Sequence, residues 1–146
     1  MADLIQATPA SAVFVHDTTR IRSQLAGILG LLVGQAIYTD PATGRALPTT
    51  SATAGKFAFR GIAVNLSAQG AGPGTAVDIV ESGYVAGYDL SALAYDAPVY
   101  LSDTPGKLSS TPGTNSVTVG RVVAMTDKDA VTGLPSKILY VRPSAF

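Results

Sequence analysis

The chain has 146 residues, with ten basic and ten acidic side chains, no cysteine, and charged residues at only 14% of positions. This length suits one domain that buries its own core. The zero formal net charge argues against a nucleic acid or an anionic membrane as partner. The lack of cysteine excludes disulfides and thiolate chemistry. So few charges favour a chain that covers part of its surface in an assembly, although a β domain with a surface rich in serine and threonine would have the same composition.

The N-terminal residues 1–11 show no hydrophobic period and contain Pro9, so we expect an extended arm there, followed by a single β domain over residues 12–146. Leu4 and Ile5 would gain nothing on an arm that only hangs in solvent, so we expect the arm to become ordered on a partner. Asp3 stands where a secretory signal would carry basic residues, which predicts a protein made in the cytoplasm of its host cell.

Glycine and proline divide the rest of the chain into short apolar segments, and Glu81 is its one glutamate. Short apolar segments separated by glycine and proline, with few helix-forming residues, predict an all-β fold, either a compact barrel or a sandwich. The predicted strands cover residues 12–16, 34–39, 57–64, 75–81, 98–101, 117–125 and 137–142, with short return strands at Leu47 and Leu108.

Residues 18–33 give conflicting signals. Asp17 and Thr18 are candidates to cap a helix, and five apolar residues after them recur at helical spacing. These five are Ile21, Leu25, Ile28, Leu29 and Leu32. Gly27 and Gly30, however, would each cost about 1 kcal/mol inside a helix. We therefore expect a short loop or helix that lies on the sheet.

Two distant stretches repeat one pattern, QAIYTDPATGRAL at 35–47 and APVYLSDTPGKL at 97–108. Each has a tyrosine, then an aspartate, then a glycine six positions after the tyrosine, and a later glycine, Gly61 or Gly120, opens an apolar run. The repeated positions are Tyr38, Asp40 and Gly44 in the first copy and Tyr100, Asp103 and Gly106 in the second. We expect two similar β-hairpins in which the glycine takes positive φ and the aspartate caps the turn through backbone N–H groups.

Residues that could carry out chemistry are scarce. His16 is the one histidine, which excludes a histidine-rich metal site or a histidine-containing catalytic triad within one chain. The glycine-rich loop 70–74 lacks the lysine and hydroxyl residue of a phosphate-binding loop, and residues 127–129 lack the ligand spacing of a calcium loop. We expect no catalytic residue, no cofactor and no metal ion, and therefore a protein that is not an enzyme.

Five short motifs follow one another along the chain. They are GQA at 34–36, GIA at 61–63, ESGYV at 81–85, the second copy of the repeat at 97–108, and VGRVV at 119–123. With these motifs the chain resembles the small capsid decoration, or cement, proteins of tailed bacteriophages and the capsid-binding domains of phage head fibres. The resemblance covers about residues 34–142. It implies a β-barrel or β-sandwich that forms trimers on an icosahedral shell, ties neighbouring capsomers together and has no active site.

The same resemblance implies a protein on the surface of the virion, with the major capsid protein and further copies of itself as partners, in a homotrimer, and without nucleic acid or membrane. We expect residues 2–15, the arm and the strand that follows it, to supply capsid contacts, at Leu4, Ile5, Val13 and Phe14. We expect residues 25–33 to supply trimer contacts, at Leu25, Ile28, Leu29 and Leu32.

Two other classes of function stay open. One is a capsid-anchored fibre module that binds host-surface carbohydrate; the absence of tryptophan counts against it, because sugar sites rely on aromatic platforms. The other is a small β-fold enzyme, which the single histidine and the absence of cysteine disfavour.

Overall fold

The computed structural model describes residues 20–27, 30–53, 55–56, 58–64, 72–128 and 133–142. These ranges form strands, turns and loops without a helix, and their paired strands are all antiparallel. The strands of this described part are β1 (Arg20–Leu25), β2 (Ala36–Thr39), β3 (Ala46–Pro48), β4 (Gly61–Val64), β5 (Ala76–Val85), β6 (Pro98–Leu101), β7 (Leu108–Ser109), β8 (Thr118–Lys128) and β9 (Pro135–Val141). The sheet curls into a half-barrel, so the prediction of an all-β, barrel-like fold is confirmed.

The sheet consists of two halves with equivalent strand orders, β3-β2-β4-β5 from one edge and β7-β6-β8-β9 from the other. The full order runs β3-β2-β4-β5-β9-β8-β6-β7, with β1 paired to β5 outside this path. The first half consists of the β2–β3 hairpin followed by β4 and β5, and the second half of the β6–β7 hairpin followed by β8 and β9. The halves meet where residues 83–85 of β5 pair with residues 139–141 of β9.

The repeat in the sequence extends to the register of three strands in each half. Each tyrosine lies opposite the residue nine positions further on, since Tyr38 pairs with Leu47 and Tyr100 with Ser109. The residue before each tyrosine lies opposite a glycine of the third strand, at the start of the apolar run in that strand. These two pairs are Ile37 with Gly61 and Val99 with Gly120. The prediction of two similar hairpins is therefore confirmed.

The expectation of a loop or helix over residues 18–33 is wrong for its first part. Residues 20–25 form β1, which pairs along β5 with Ile21 opposite Val80 and Leu25 opposite Ala76. The long strand β5 offers a ladder of backbone partners, and this pairing outweighs a helical spacing that two glycines already weaken. The part after β1 does lie on the sheet, because the Gly27 N–H donates to the Ala46 carbonyl oxygen at 2.8 Å.

The strand boundaries differ most from the prediction at β4 and β5. Residues 58–60 are not in a strand, and the paired register of β4 with β2 begins at Gly61. Strand β5 continues past the predicted end at residue 81 to Val85, because its last three residues pair with β9. The predicted strand at 12–16 and the predicted arm at 1–11 lie outside the described residues.

The core consists of two clusters on opposite faces of the first half. In β4, Ile62 and Val64 point into the larger cluster, while Ala63 packs in a smaller one with Ala26 and Leu31. The larger cluster joins the two halves. Its buried members include Val80 and Val85 from β5, Val99 and Leu101 from β6, Val122 from β8, and Leu139 and Val141 from β9. Full burial of a valine or leucine side chain contributes roughly 1.5–3 kcal/mol, so this shared cluster is the main source of stability.

The described residues contain no helix long and apolar enough to cross a membrane.

Candidate functional site

The first repeated turn forms as predicted. The Asp40 carboxylate accepts hydrogen bonds from the Ala42 N–H at 2.9 Å and from the Thr43 hydroxyl at 3.1 Å. Gly44 has a φ of 71°, and its N–H donates to the Asp40 carbonyl oxygen at 2.7 Å. Tyr38 is buried beside this turn, and its burial, together with the negative charge of Asp40, raises the pKa of its phenol. Asp40 therefore caps the turn that it begins.

The second repeated turn has a closing backbone bond at the matching position, from the Ser102 N–H to the Lys107 carbonyl oxygen, but a different cap. Gly106 has a φ of 78°, so the prediction of positive φ is confirmed for both glycines. The prediction that Asp103 caps its own turn is wrong, because Ser102 Oγ accepts the Thr104 N–H at 2.9 Å instead. The serine one position earlier supplies the capping oxygen and leaves the aspartate carboxylate for other partners.

Those partners come from two distant loops. The Asp103 carboxylate accepts hydrogen bonds from the Ser51 hydroxyl at 2.5 Å, and from the N–H and hydroxyl of Thr114, both at 2.8 Å. The Ser51 hydroxyl, followed by the two Thr114 donors, lowers the pKa of Asp103. Since the carboxylate stays ionised and only accepts, this contact fixes the Ser51 loop in place; it does not by itself activate the serine hydroxyl.

We call the contact between the two repeats the hairpin junction; it comprises residues 49–51, 102–106 and 113–115. Backbone bonds cross it, with the Gly106 N–H donating to the Thr49 carbonyl oxygen at 2.8 Å and the Ser51 N–H to the Ser102 carbonyl oxygen at 3.1 Å. The Asn115 side-chain amide donates to the Ser51 carbonyl oxygen at 2.5 Å. Buried polar groups that all find partners in this way specify one arrangement of the loops. The hairpin junction is therefore structural.

The predicted contact residues divide between described and undescribed parts of the chain. Leu25 and Leu32, predicted for the trimer, are 46% and 51% exposed. Ala26, Leu31 and Val33 around them are buried. The remaining predicted contacts lie outside the described residues; they are Ile28 and Leu29 for the trimer and Leu4, Ile5, Val13 and Phe14 for the capsid.

Sequence reasoning missed a polar and aromatic row on the outer face of the second half. Tyr84 of β5 lies opposite Tyr140 of β9, Tyr140 opposite Arg121 of β8, and Arg121 opposite Pro98 of β6. Their strand neighbours point the other way and are buried in the shared core; they are Val85, Leu139, Val141, Val122 and Val99. The alternation along β8 and β9 was visible in the sequence, but the register that aligns the four residues was not.

An open depression of about 560 Å³ covers this row, and we call it the tyrosine–arginine depression. It is lined by Tyr84, Asp96, Pro98, Thr118, Gly120, Arg121, Tyr140 and Arg142. The two tyrosine rings have centroids 5.2 Å apart and are inclined by 53°, and the Arg121 guanidinium carbon is 5.9 Å from the centre of the Tyr140 ring. Arg121 Nη1 lies 2.5 Å from Asp96 Oδ1, with side chains that are 53% and 76% exposed. This surface presents rings, two guanidinium groups and one carboxylate to solvent.

No group of three histidine, cysteine, aspartate or glutamate side chains that could hold a metal ion occurs in the part of the chain that the structure describes. In comparisons with known proteins, the chain matches no family model, no curated protein and no solved structure.

Proposed function

We propose that the chain is a structural protein of a virus particle, a decoration protein that binds the outer surface of a tailed-phage capsid and bridges neighbouring capsomers. One structural observation carries the proposal. Leu25 and Leu32 present large apolar side chains to solvent from a segment that Ala26, Leu31 and Val33 hold against the sheet. Large apolar side chains that are exposed and held in a fixed position are suited to contact with another protein chain.

The composition and the sequence motifs support the same function. A chain with 14% charged residues and zero formal net charge favours association over solubility as a free monomer. The motifs from residue 34 to residue 142 resemble those of phage decoration proteins, and such proteins act by binding and not by turnover.

A trimer offers a simple physical advantage at the junction of capsomers. Each copy makes its own contact with the shell, and once one copy is bound the other two are held close to their sites. The high effective concentration that results makes the whole trimer bind far more tightly than one copy. Under this proposal residues 25–33 hold the copies together, and residues 2–15 contact the major capsid protein through Leu4, Ile5, Val13 and Phe14.

The oligomeric state is tested with the double variant Leu25→Ser/Leu32→Ser. Light scattering of the purified chain should give a trimer, and the double variant should dissociate to a monomer that keeps its far-ultraviolet spectrum. Leu134→Ser is the matched control, since Leu134 is 55% exposed but lies outside residues 25–33. A wild-type chain that is monomeric both in solution and on the particle would contradict the trimer.

The location is tested on purified particles of the virus that encodes the chain. Mass spectrometry should find many copies per particle, and electron cryomicroscopy should place them over the shell at the junctions of capsomers. A particle that lacks the chain, or carries it only at a single vertex or on the tail, would contradict decoration of the shell.

The second candidate is a capsid-anchored fibre module that binds host-surface carbohydrate. The tyrosine–arginine depression is the observation that favours it, because half-buried tyrosine rings beside polar side chains suit sugar rings, which have one apolar face and a polar rim. Copy number separates the two candidates, since a fibre occurs at few positions on a particle and a decoration protein at many.

A further inference from the structure

The tyrosine–arginine depression has features that the stability of the sheet does not require. Cross-strand contacts of Tyr84, Tyr140 and Arg121 would stabilise a flat sheet face equally well. Here, however, Arg142, which follows β9 directly, and the loop that carries Asp96 border the row, so that a concave site forms. Its volume of about 560 Å³ lies within the range of roughly 300–1,000 Å³ found for small-molecule sites.

The polar groups of this site are preorganised. Asp96 takes a positive φ of 66°, and its N–H donates to the Val122 carbonyl oxygen of β8 at 2.7 Å, which fixes the residue against the sheet. Its carboxylate holds Arg121, whose guanidinium group also lies near the face of the Tyr140 ring. A carboxylate that accepts and a guanidinium that donates, side by side, match a pair of neighbouring hydroxyl groups.

The charge of the site indicates an acidic ligand. Its lining carries two arginines and one aspartate, while the whole chain has no formal net charge. Arg121 is engaged with Asp96, and the exposed Arg142 adds a second guanidinium group on the same rim. A guanidinium group binds a carboxylate through paired, charge-assisted hydrogen bonds.

From this geometry we infer that the tyrosine–arginine depression binds a sugar ring that carries a carboxylate, as a unit of an acidic polysaccharide. One face of the ring lies on the tyrosine pair, two hydroxyl groups meet Asp96 and Arg121, and the carboxylate meets Arg142. The inference deepens the second candidate function and is independent of attachment to the shell, so the particle experiments and the binding experiment below succeed or fail separately.

The experiment is a titration of the full-length, isotope-labelled chain followed by two-dimensional amide NMR. The probe is a trimer of galacturonic acid, and the neutral comparison is a trimer of galactose. We expect the acidic sugar to shift the amide signals of Thr118, Arg121 and Tyr140, and to bind about tenfold more tightly than the neutral sugar at low salt. The preference should weaken as salt is added.

Two variants and two matched controls assign the binding to this site. Arg142→Gln should remove the preference for the acidic sugar, and Tyr140→Leu should weaken binding of both sugars about tenfold. Arg45→Gln and Tyr100→Leu, outside the depression, should leave both affinities unchanged. Arg142 is exposed, so its variant keeps the test decisive even if Tyr140→Leu fails to fold.

Three outcomes overturn the inference. The first is that neither sugar binds, or that the shifts fall outside the depression. The second is that both sugars bind equally and Arg142→Gln has no effect. The third concerns a peptide. A glutamate-rich peptide binds more tightly than the sugar and Tyr140→Leu leaves that binding intact, which makes the site a docking surface for acidic protein segments.

Discussion

The two repeated turns have similar sequences and each has a glycine with positive φ, but their surroundings are opposite. The turn at Asp40 and Gly44 is exposed and satisfies its own carboxylate, whereas the turn at Asp103 and Gly106 is built into the hairpin junction. A Cβ atom added at Gly44 would meet nothing within 4 Å, while one at Gly106 would lie 2.9 Å from the side-chain nitrogen of Gln35. The same local pattern therefore fixes the path of the chain in both places but not the role of its side chains.

The largest expected difference concerns the two glycines. Valine at either position has to take a left-handed backbone conformation, which costs about 1–3 kcal/mol. Gly106→Val also overlaps the Gln35 side chain, so we expect it to lower the free energy of unfolding by about 3 kcal/mol or more, against about 1–2 kcal/mol for Gly44→Val. Urea denaturation of both variants measures this difference. Equal losses in the free energy of unfolding would mean that the Gln35 side chain moves away from the introduced valine at little cost.

The two aspartates give the next contrast. Asp103→Ala removes an acceptor for three donors from two loops, and it leaves the buried Ser51 hydroxyl without its partner. Asp40→Ala removes two exposed bonds within one turn. We expect the melting temperature to fall by several degrees for Asp103→Ala and by clearly less for Asp40→Ala. The reverse order would contradict a structural role for the hairpin junction.

The hairpin junction should also be sensitive to acid. Ser51 and Thr114 lower the pKa of Asp103 below its ordinary value of 3.8, so its stabilising effect is complete above that value and is lost as the pH falls through the lower, folded-state pKa. The stability difference between the wild-type chain and Asp103→Asn should be constant above about pH 5 and shrink in more acidic solution. Denaturation curves over this range measure it, and other titrating groups cancel in the difference. A difference that grows in acid would contradict the assignment.

The smallest effect is expected at an exposed ion pair of the second half. Arg121 and Asp96 are only 2.5 Å apart, but both are more than half exposed. Such pairs contribute roughly 0–1 kcal/mol, because water and salt screen the charges. A double-mutant cycle with Arg121→Ala and Asp96→Ala should give a coupling energy in this range, which decreases with added salt. A larger coupling energy would show that the ion pair fixes the conformation of the loop that carries Asp96.

The features that the sequence predicted well are local ones. The turn glycines, the hairpins and the Asp40 cap depend on residues within one short stretch, where backbone sterics and neighbouring donors decide the outcome. The strand predicted at 75–81 likewise corresponds to the first part of β5, where Val77 and Ile79 lie in one cluster and Val80 in the other.

The features that the sequence left open depend on distant pairing. Asp103 meets Ser51, which lies 52 positions earlier, and Ser102 is an equally good cap one residue away, so the sequence alone favoured the wrong oxygen. Strand β1 forms because β5 offers it a partner edge, not because of its own residue pattern. The tyrosine–arginine depression exists only in the register that places Tyr84 beside Tyr140 and Tyr140 beside Arg121.

The core that joins the two halves has a consequence for how the chain unfolds. Repeat proteins whose units touch only their neighbours can lose structure one unit at a time. Here Val80 and Val85 of the first half share one cluster with Val99, Val122 and Leu139 of the second half, so neither half can bury its apolar face alone. The described strands should therefore melt in a single cooperative transition, and a fragment that ends between β5 and β6 should stay unfolded until the other half is supplied.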